Sequence, residues 1–388
     1  MASKQNSDSG IPRRRFLRIS AATLGAAGTT GLAAGETSPT ARGSAPSDPR
    51  RASTSARSGK TGYNGTYTGE RLNRVAFPLG GIGGGMICLE GTGSLSHFSL
   101  RNKPEVFNEP TVFAAISVKG RAGLARVLEG PVPGWKIFGS PGAGNGAAGT
   151  SFGLPRFSTA AFTARFPFAA IELSDSAMPL AVEITGWSPF EPGDADNSSL
   201  PVAALEYRFT NRSKARVEAV FSFNAKNFMA IGRNEQAVRS TPGGFVLWSG
   251  APKERPWEEG AFSASASDPA VKVNHAWFRG GWWDALTLAW NDIASAACFE
   301  RPPVNQGGAS PGATLFVPFA LAPGASKTVV LRLAWFAGQT NLRLGKDPAS
   351  SAPEPTNLAA PTHRPWYAGR FADINAVTDH WRDHYDEL

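Results

Sequence analysis

Residues 205–223 read LEYRFTNRSKARVEAVFSF. Leu205, Tyr207 and Phe209 alternate with Glu206, Arg208 and Thr210. After the polar turn Asn211-Arg212-Ser213-Lys214, the period resumes at Val217, Ala219, Phe221 and Phe223. Successive side chains of a strand point to opposite faces, so this period sets one face on a core and the other in water. Working outward, Val329, Leu331, Leu333 and Trp335 repeat it, with Lys327, Thr328 and Arg332 in or just before the strand. Shorter apolar runs at 111–118, 161–173, 180–187, 244–248, 271–278, 285–290 and 314–321 read as further strands. Many strands at short spacing, with no helical pattern between them, predict two large antiparallel sheets packed face to face. The expected class is all-β, a large two-sheet sandwich of the supersandwich type. No repeat of fixed period is visible, which counts against a propeller.

Composition agrees. Charged residues make up 18% of the 388, and the chain carries 43 glycines and 30 prolines. Helix-rich chains use more Glu and Lys and fewer breakers, so strands and turns are favoured. The length suggests two domains, or one large β domain with appendages. The net charge of +8 is concentrated at one end: residues 1–60 hold ten Lys and Arg against three acids, and the remaining 328 residues are within one charge of neutral. No basic stripe remains to release phosphate counterions, so nucleic acid is excluded as a partner of the main body. Two cysteines, Cys88 and Cys298, make neither a disulfide framework nor a zinc cage. They can form one disulfide or stand as two separate buried thiols, and the second is expected.

The charge at the start has a pattern. Arg13-Arg14-Arg15-Phe16-Leu17-Arg18 precedes a run of Ala, Gly, Leu and Thr that meets no charge before Glu36. That is a basic n-region, a weakly apolar h-region and small residues before a cleavage site, expected near Ala34. Arg13, Arg14, Phe16 and Leu17 resemble the twin-arginine export signal, with Arg18 in place of its usual Lys. The resemblance implies a signal over 1–35 and export of a folded protein to the periplasm or exterior of a bacterium. Residues 36–62 are rich in Ser, Thr, Pro, Arg and Gly and read as a disordered linker. No later segment reaches the roughly 18 apolar residues that span a bilayer.

The β pattern runs over 63–345, and a second linker follows at 346–365 with Pro348, Pro353, Pro355, Pro361 and Pro365. Then the period changes. Phe371, Ile374, Val377, Trp381, Tyr385 and Leu388 form the stripe of an amphipathic helix. Something must bury that stripe: either the sandwich or a helical domain that the chain once continued into. The second is expected, with 366–388 as the first helix of such a domain.

Motifs that carry chemistry are sparse. Gly149-Thr150-Ser151-Phe152-Gly153 matches the nucleophile elbow, but Leu154-Pro155 follows where a helix must start, so a surface loop is expected. Leu79-Gly80-Gly81-Ile82-Gly83-Gly84-Gly85-Met86 lacks phosphate-loop spacing and is followed by a strand. Its glycines are expected to let two backbones approach closely in a turn. His380 and His384 stand at i and i+4 beside Asp383, a spacing seen in metal-binding helices, but no third ligand is in view and no metal or other cofactor is expected. Glu254, Glu258 and Glu259, and Asp194 with Asp196, are the densest acid groups. Paired carboxylates hydrolyse glycosides when correctly spaced, but these sit in Pro/Gly loops where solvated acids are routine. Trp257, Trp282 and Trp283 are candidate platforms for sugar rings. No catalytic residue is assigned.

Residues 77–85, 98–110, 187–192 with 198–202, 333–336, and Trp366-Tyr367 with Arg370-Phe371, taken in this order, resemble glycoside hydrolase family 116, the family of the non-lysosomal glucosylceramidases and bacterial β-glucosidases. Phe77-Pro78-Leu79-Gly80-Gly81-Ile82-Gly83-Gly84-Gly85, then Leu89, Gly91 and Gly93, resembles its opening strand pair. Residues 98–110 (FSLRNKPEVFNEP) are similar to its next segment. Trp187-Ser188-Pro189-Phe190-Glu191-Pro192 with Ser198-Ser199-Leu200-Pro201-Val202, then Glu206-Tyr207 and Thr210-Asn211, is similar to a later strand start. Leu333-Ala334-Trp335-Phe336 resembles the closing strand, and Trp366-Tyr367 with Arg370-Phe371 the way into the helical domain. The resemblance implies an amino-terminal β-sandwich, with catalysis in a carboxy-terminal (α/α)6 barrel that carries a glutamate nucleophile and an aspartate acid/base. No residue here matches that pair. The function expected is therefore a non-catalytic amino-terminal domain of a β-glycosidase that supports and shapes the cleft of such a barrel. The alternative is a stand-alone carbohydrate-binding or structural module using exposed Trp. The partners expected are the barrel and, through either reading, β-glucosides or other glycans.

Overall fold

Alternation in β10 (Val202–Asn211) sends Leu205, Tyr207 and Phe209 to one face, and all three are buried. The strand lies between β9 (Leu180–Trp187) and β17 (Ser326–Phe336), with Leu205 opposite Gly186 and Leu331. In a computed structural model this trio is the centre of a nine-stranded antiparallel sheet. Residues 65–120, 124–138, 150–282, 284–342 and 362–388 are described, all within the unit Lys60–Leu388. The signal and linker expected over 1–62, most of the second linker, Gly149 and Trp283 lie outside the described residues.

On one side of β9 the sheet continues through β8 (Phe168–Ser174), β7 (Thr159–Arg165) and the short β1 (Tyr67–Thr68). On the other, beyond β17, come β14 (Gly260–Ala266), β13 (Gly244–Ser249) and β12 (Gln236–Thr241). A five-stranded sheet faces it, in the order β15 (Lys272–Asn274), β16 (Gly312–Leu321), β11 (Val217–Lys226), β5 (Val112–Val118) and β6 (Ala125–Val127). The two-sheet sandwich expected from the alternation is present. The rings of Tyr207 and Phe221 meet across it at 4.9 Å, and those of Phe209 and Phe221 at 6.1 Å. Each fully buried ring of this kind contributes about 1.5–3 kcal/mol. A third sheet, of β2 (Ala76–Leu79), β3 (Met86–Glu90) and β4 (Leu95–Ser99), adds to the two expected.

Although β10 and β11 are consecutive, they belong to different sheets, so residues 212–216 arch from one layer to the other. The buried Asn211 side chain holds the arch. Its Nδ2 donates to Ala215 O (2.8 Å) and Leu321 O (3.0 Å), and its Oδ1 accepts from Ser213 N (2.9 Å) and Ser213 Oγ (2.8 Å).

Two sequence expectations are corrected. The run at 285–290 is not a strand but the start of α2 (Ala285–Ala294), which follows α1 (Gly134–Phe138) in the chain. Its Ala-Leu-Thr-Leu alternation imitates period two. Leu286, Trp290 and Ile293 are instead spaced for one helical face, which packs on Phe113, Ala115 and Val127 of the five-stranded sheet. Asp284 starts the helix by accepting Thr287 N at 3.1 Å. The run at 161–173 is a hairpin, β7 and β8, broken at Phe166-Pro167.

The terminal stripe is also covered, against the expectation of a face left for another domain. After α3 (Trp366–Arg370), α4 (Ile374–Asp383) lies on the outer face of the nine-stranded sheet. Phe371, Ile374, Val377 and Trp381 are buried there against Trp187, Val202, Ala204, Val246, Ala261 and Ala334. Trp381 Nε1 donates to Ala203 O (3.2 Å), and both Trp187 Nε1 (3.0 Å) and Tyr385 Oη (2.9 Å) donate to Glu206 Oε1. Asp373 caps α4, accepting Asn375 N and Ala376 N at 2.9 and 3.0 Å. Cys88 and Cys298 are both free thiols, but only Cys88 is buried as the second cysteine reading expects; Cys298 is half-buried. Among the described residues no helix is long and apolar enough to cross a membrane.

Candidate functional site

The glycine run joins β2 to β3 and does make a close backbone approach. Gly81 N donates to Leu200 O (2.9 Å) and Ile82 N to Ser198 O (2.8 Å). A Cβ on Gly81 would fall on the Leu200 carbonyl oxygen and the Ser199 carbonyl carbon, so only glycine fits. From below, Trp335 of β17 presses its indole against Gly80 and Gly85, and its Nε1 donates to Gly84 O (2.6 Å). From the side, Gly80 N donates to Ser188 Oγ (2.6 Å). A loop with little side-chain substance is thus clamped between a core tryptophan and the 198–200 segment.

Outside this clamp lies a cleft of about 620 Å³. The glycine loop forms one wall, Ser99, Asn102, Lys103 and Pro104 a second, and Phe166 to Pro167 with Ser188 to Phe190 a third. Pro365 and Trp366, at the start of the terminal helices, close it. Its rim is apolar and wet: Ile82 is 66% exposed, Phe166 65%, Trp366 46% and Phe190 39%, and the Phe166 and Phe190 rings stack edge-on at 4.8 Å. Lys103, paired with Glu105 at 3.3 Å, is the one charged side chain among the described lining residues. Burial of large apolar side chains is the norm, so several exposed ones around one concavity mark a surface meant for another molecule.

The second wall is strained as well. Non-glycine residues with positive φ occur at His97 (52°), Asn102 (57°) and Phe107 (63°), all within one eleven-residue stretch, and elsewhere in the described chain only at Ala296. Such conformations cost about 1–2 kcal/mol each and persist where the surroundings over-determine them. Here they do. His97 Nδ1 accepts Phe107 N (2.8 Å), Ser99 Oγ accepts Glu105 N (2.9 Å) and Asn108 Nδ2 donates to Phe98 O (2.9 Å). Buried Lys136 donates to Glu109 Oε2 (2.7 Å) and Glu90 Oε1 (2.6 Å), pinning the far end of the loop. The product is a rigid loop that holds Val106 and Phe107 out in solvent. Asn102 also ties the loop to the terminal helices: its Nδ2 donates to Ala337 O (3.2 Å), which also accepts Tyr367 Oη (3.0 Å). Burial pushes the Tyr367 phenol up to about 12, so it stays a donor.

Residues 76–388 match the family described as beta-glucosidase 2, glycosyl-hydrolase family 116, N-terminal. The chain belongs to that family. A search of curated proteins returns no match. Among solved structures, a human-microbiome protein described as a kojibiose phosphorylase is 7% identical, with 70% of this chain and 25% of that one covered at a TM-score of 0.30. A polysaccharide lyase is 12% identical over 68% and 32% at 0.30, and a family GH92 α-mannosidase from Bacteroides thetaiotaomicron 10% identical over 68% and 31% at 0.28. The chain spans no more than 32% of the length of these proteins. The motifs that resemble family 116 converge on the cleft. The glycine run, the 98–110 segment, the Trp-Ser-Pro-Phe stretch, Ser198 and Trp366 all line it, and Trp335 supports it from the core.

The other candidates are dispersed. Asp194 accepts Asn197 N and Nδ2, both at 2.9 Å, and shapes its own turn. Glu258 pairs with Arg255 (3.0 Å) and accepts Asn234 Nδ2 (2.9 Å), Glu259 accepts Trp248 Nε1 (3.2 Å), and Glu254 is exposed. Ser151 Oγ accepts from Arg156 (3.0 Å). The His380 and His384 rings stack at 4.3 Å, and among the described residues no group of three potential metal ligands occurs. Trp257 is half-buried and Trp282 is 93% exposed, neither of them in the cleft. Ile82, Lys103, Phe166, Phe190 and Trp366 carry no chemical signature that marks them in the sequence as site residues. All but Phe166 lie inside the motifs of the resemblance, and that is the available signal.

Proposed function

We propose that this domain is the non-catalytic partner of a helical β-glycosidase domain of the (α/α)6 type, on the same polypeptide or another, and that the cleft and the 97–107 loop are the surface it presents. The observation that carries the reading is the ring of exposed Ile82, Phe166, Phe190 and Trp366 around a cleft built from the family's own motifs. A neutral, mostly apolar rim with one lysine suits a lasting protein contact, whose buried core is poor in charge. The rigid loop then shapes the edge of the partner's active-site cleft, where β-glucosides bind. Export by the twin-arginine route belongs to the same reading, supported by Arg13, Arg14, Phe16 and Leu17.

The test is to mix the purified chain with the isolated helical domain of a family-116 β-glucosidase and follow complex formation by size-exclusion chromatography with light scattering. A complex is expected, no aryl-glucoside turnover by this chain alone, and loss of the complex with Ile82→Asp plus Phe190→Asp. Separate elution of the two wild-type proteins would overturn the reading. A second reading, a glycan-binding module, is favoured by the bare indole of Trp282. Loss of glycan binding in Trp282→Ala would support it.

A further inference from the structure

On the opposite layer, between α2 and the edge of the five-stranded sheet, a separate cavity of about 300 Å³ is lined by Trp277, Phe278, Asn274, Leu288, Asp292 and Arg301. Part of its wall is held by hydrogen bonds. Trp277 Nε1 donates to Thr314 Oγ1 (2.9 Å), which donates to Asn224 Oδ1 (2.9 Å), whose Nδ2 reaches Phe113 O (3.3 Å), so a buried chain of hydrogen bonds locks the indole. Arg301 is held by its backbone: its N–H donates to Val273 O (3.0 Å) and its carbonyl accepts His275 N (3.0 Å). Its guanidinium rests over the Phe299 ring at 4.8 Å. Asp292 projects from α2 into the same space, half-buried and close enough to feel the Arg301 charge, yet among the described residues neither side chain forms an ion pair. Burial holds the Asp292 carboxyl above its ordinary range.

Asp292, half-buried, and Arg301, exposed, both line the cavity without forming an ion pair among the described residues, so an acceptor and several donors are available at its wall. Together they carry no net charge, which disfavours an anion or a cation. Beside them are two aromatic rings and the aliphatic side chains of Ala285, Leu288 and Ala289, which favour a ligand with an apolar face. The volume is at the lower end for small-molecule clefts. We propose that this cavity binds a neutral polyhydroxylated ligand, one or two sugar units of a glycan, with vicinal hydroxyls on Asp292 and Arg301 and a C–H face against Trp277 and Phe278. It is a binding site remote from the cleft, so the domain would hold a glycan independently of any catalytic partner.

Isothermal titration of the full chain with glucose, cellobiose and maltose at millimolar concentrations tests this. Saturable binding of at least one is expected, weakened roughly tenfold or more by Asp292→Asn and by Phe278→Ala, since each removes a ligand-facing group. Both variants leave the Trp277 hydrogen-bond chain intact, and thermal melts check that they fold. Phe190→Ala in the cleft is expected to bind like the wild type. No heat with any of the three sugars, or binding lost in Phe190→Ala but kept in Phe278→Ala, would overturn the proposal. Failure here leaves complex formation with the helical domain unaffected, so the two results are separable.

Discussion

Replacing Gly81 by Ala measures the clamp under the cleft. A Cβ at this position lands on backbone atoms of Ser199 and Leu200, which cannot swing aside as a side-chain end would. To relieve the overlap the two segments must part, and the bonds from Gly81 N to Leu200 O (2.9 Å) and from Ile82 N to Ser198 O (2.8 Å) are lost. Each is worth about 1 kcal/mol net, and forcing extra volume into a closed site costs about 1–3 kcal/mol, for a total of about 3–5 kcal/mol. Gly83, two residues along the same loop, is the control. It has φ of +73° and nothing within 4 Å of an added Cβ, so Gly83→Ala meets only the left-handed strain of about 1–2 kcal/mol. Urea denaturation followed by tryptophan fluorescence is the assay, because Trp335 lies against the loop and reports on it directly. The expected order is wild type, then Gly83→Ala, then Gly81→Ala, with the larger gap at the second step. Equal midpoints for the two variants would refute the close approach, and with it the account of how the cleft wall is made.

Three further outcomes follow from the packing and the titrating groups. Trp381→Ala removes a buried ring 5.4 Å from Trp187 together with its bond to Ala203 O, and is expected to cost about 3–5 kcal/mol in denaturant melts, whereas the half-exposed Trp366→Ala costs less than about 1 kcal/mol. The His380 imidazole is held below its ordinary value by burial and then by His384 and Arg370, so the unfolded chain binds the extra proton first. Stability should be full above about pH 6.5 and fall as the pH drops through that value, a slope that His380→Gln reduces in urea midpoints measured between about pH 5 and pH 7.5. Burial, helped by Glu90, pushes the Cys88 thiol up to about 11, so iodoacetamide at about pH 8 should leave Cys88 unmodified in the native protein and label it in urea, as read by mass spectrometry.

How legible an element is in the sequence depends on how many of its faces are buried. β10 is readable at 205–210 because Arg208 meets water while Leu205, Tyr207 and Phe209 meet the core. β14, all seven of whose residues are buried, is not: its Gly, Ala and Ser positions carry no alternation, since Phe262 and Ala264 face the sandwich core while Ala261 lies under the terminal helix. α2 reads as a strand for the opposite reason, a local alternation that its Asp284 cap and the apolar patch on the sheet override.

The cleft lies further from view, because it is a product of register. Trp335 Nε1 reaches Gly84 O across 251 residues, and that contact exists only because β17 pairs with β10, which sets Ala334 opposite Val202 and brings residues 198–201 over the glycine loop. A motif reading finds each of these segments but cannot bring them together. It follows that the wall of the cleft is an extension of the core. The same indole is fully buried among the core side chains and at once carries the loop whose Ile82 meets solvent. A close-packed interior transmits volume changes rather than absorbing them. Substitutions in β17 that leave the fold intact should therefore move the rim of the cleft, and the surface offered to a partner is tuned from inside the sandwich as much as from its exposed residues.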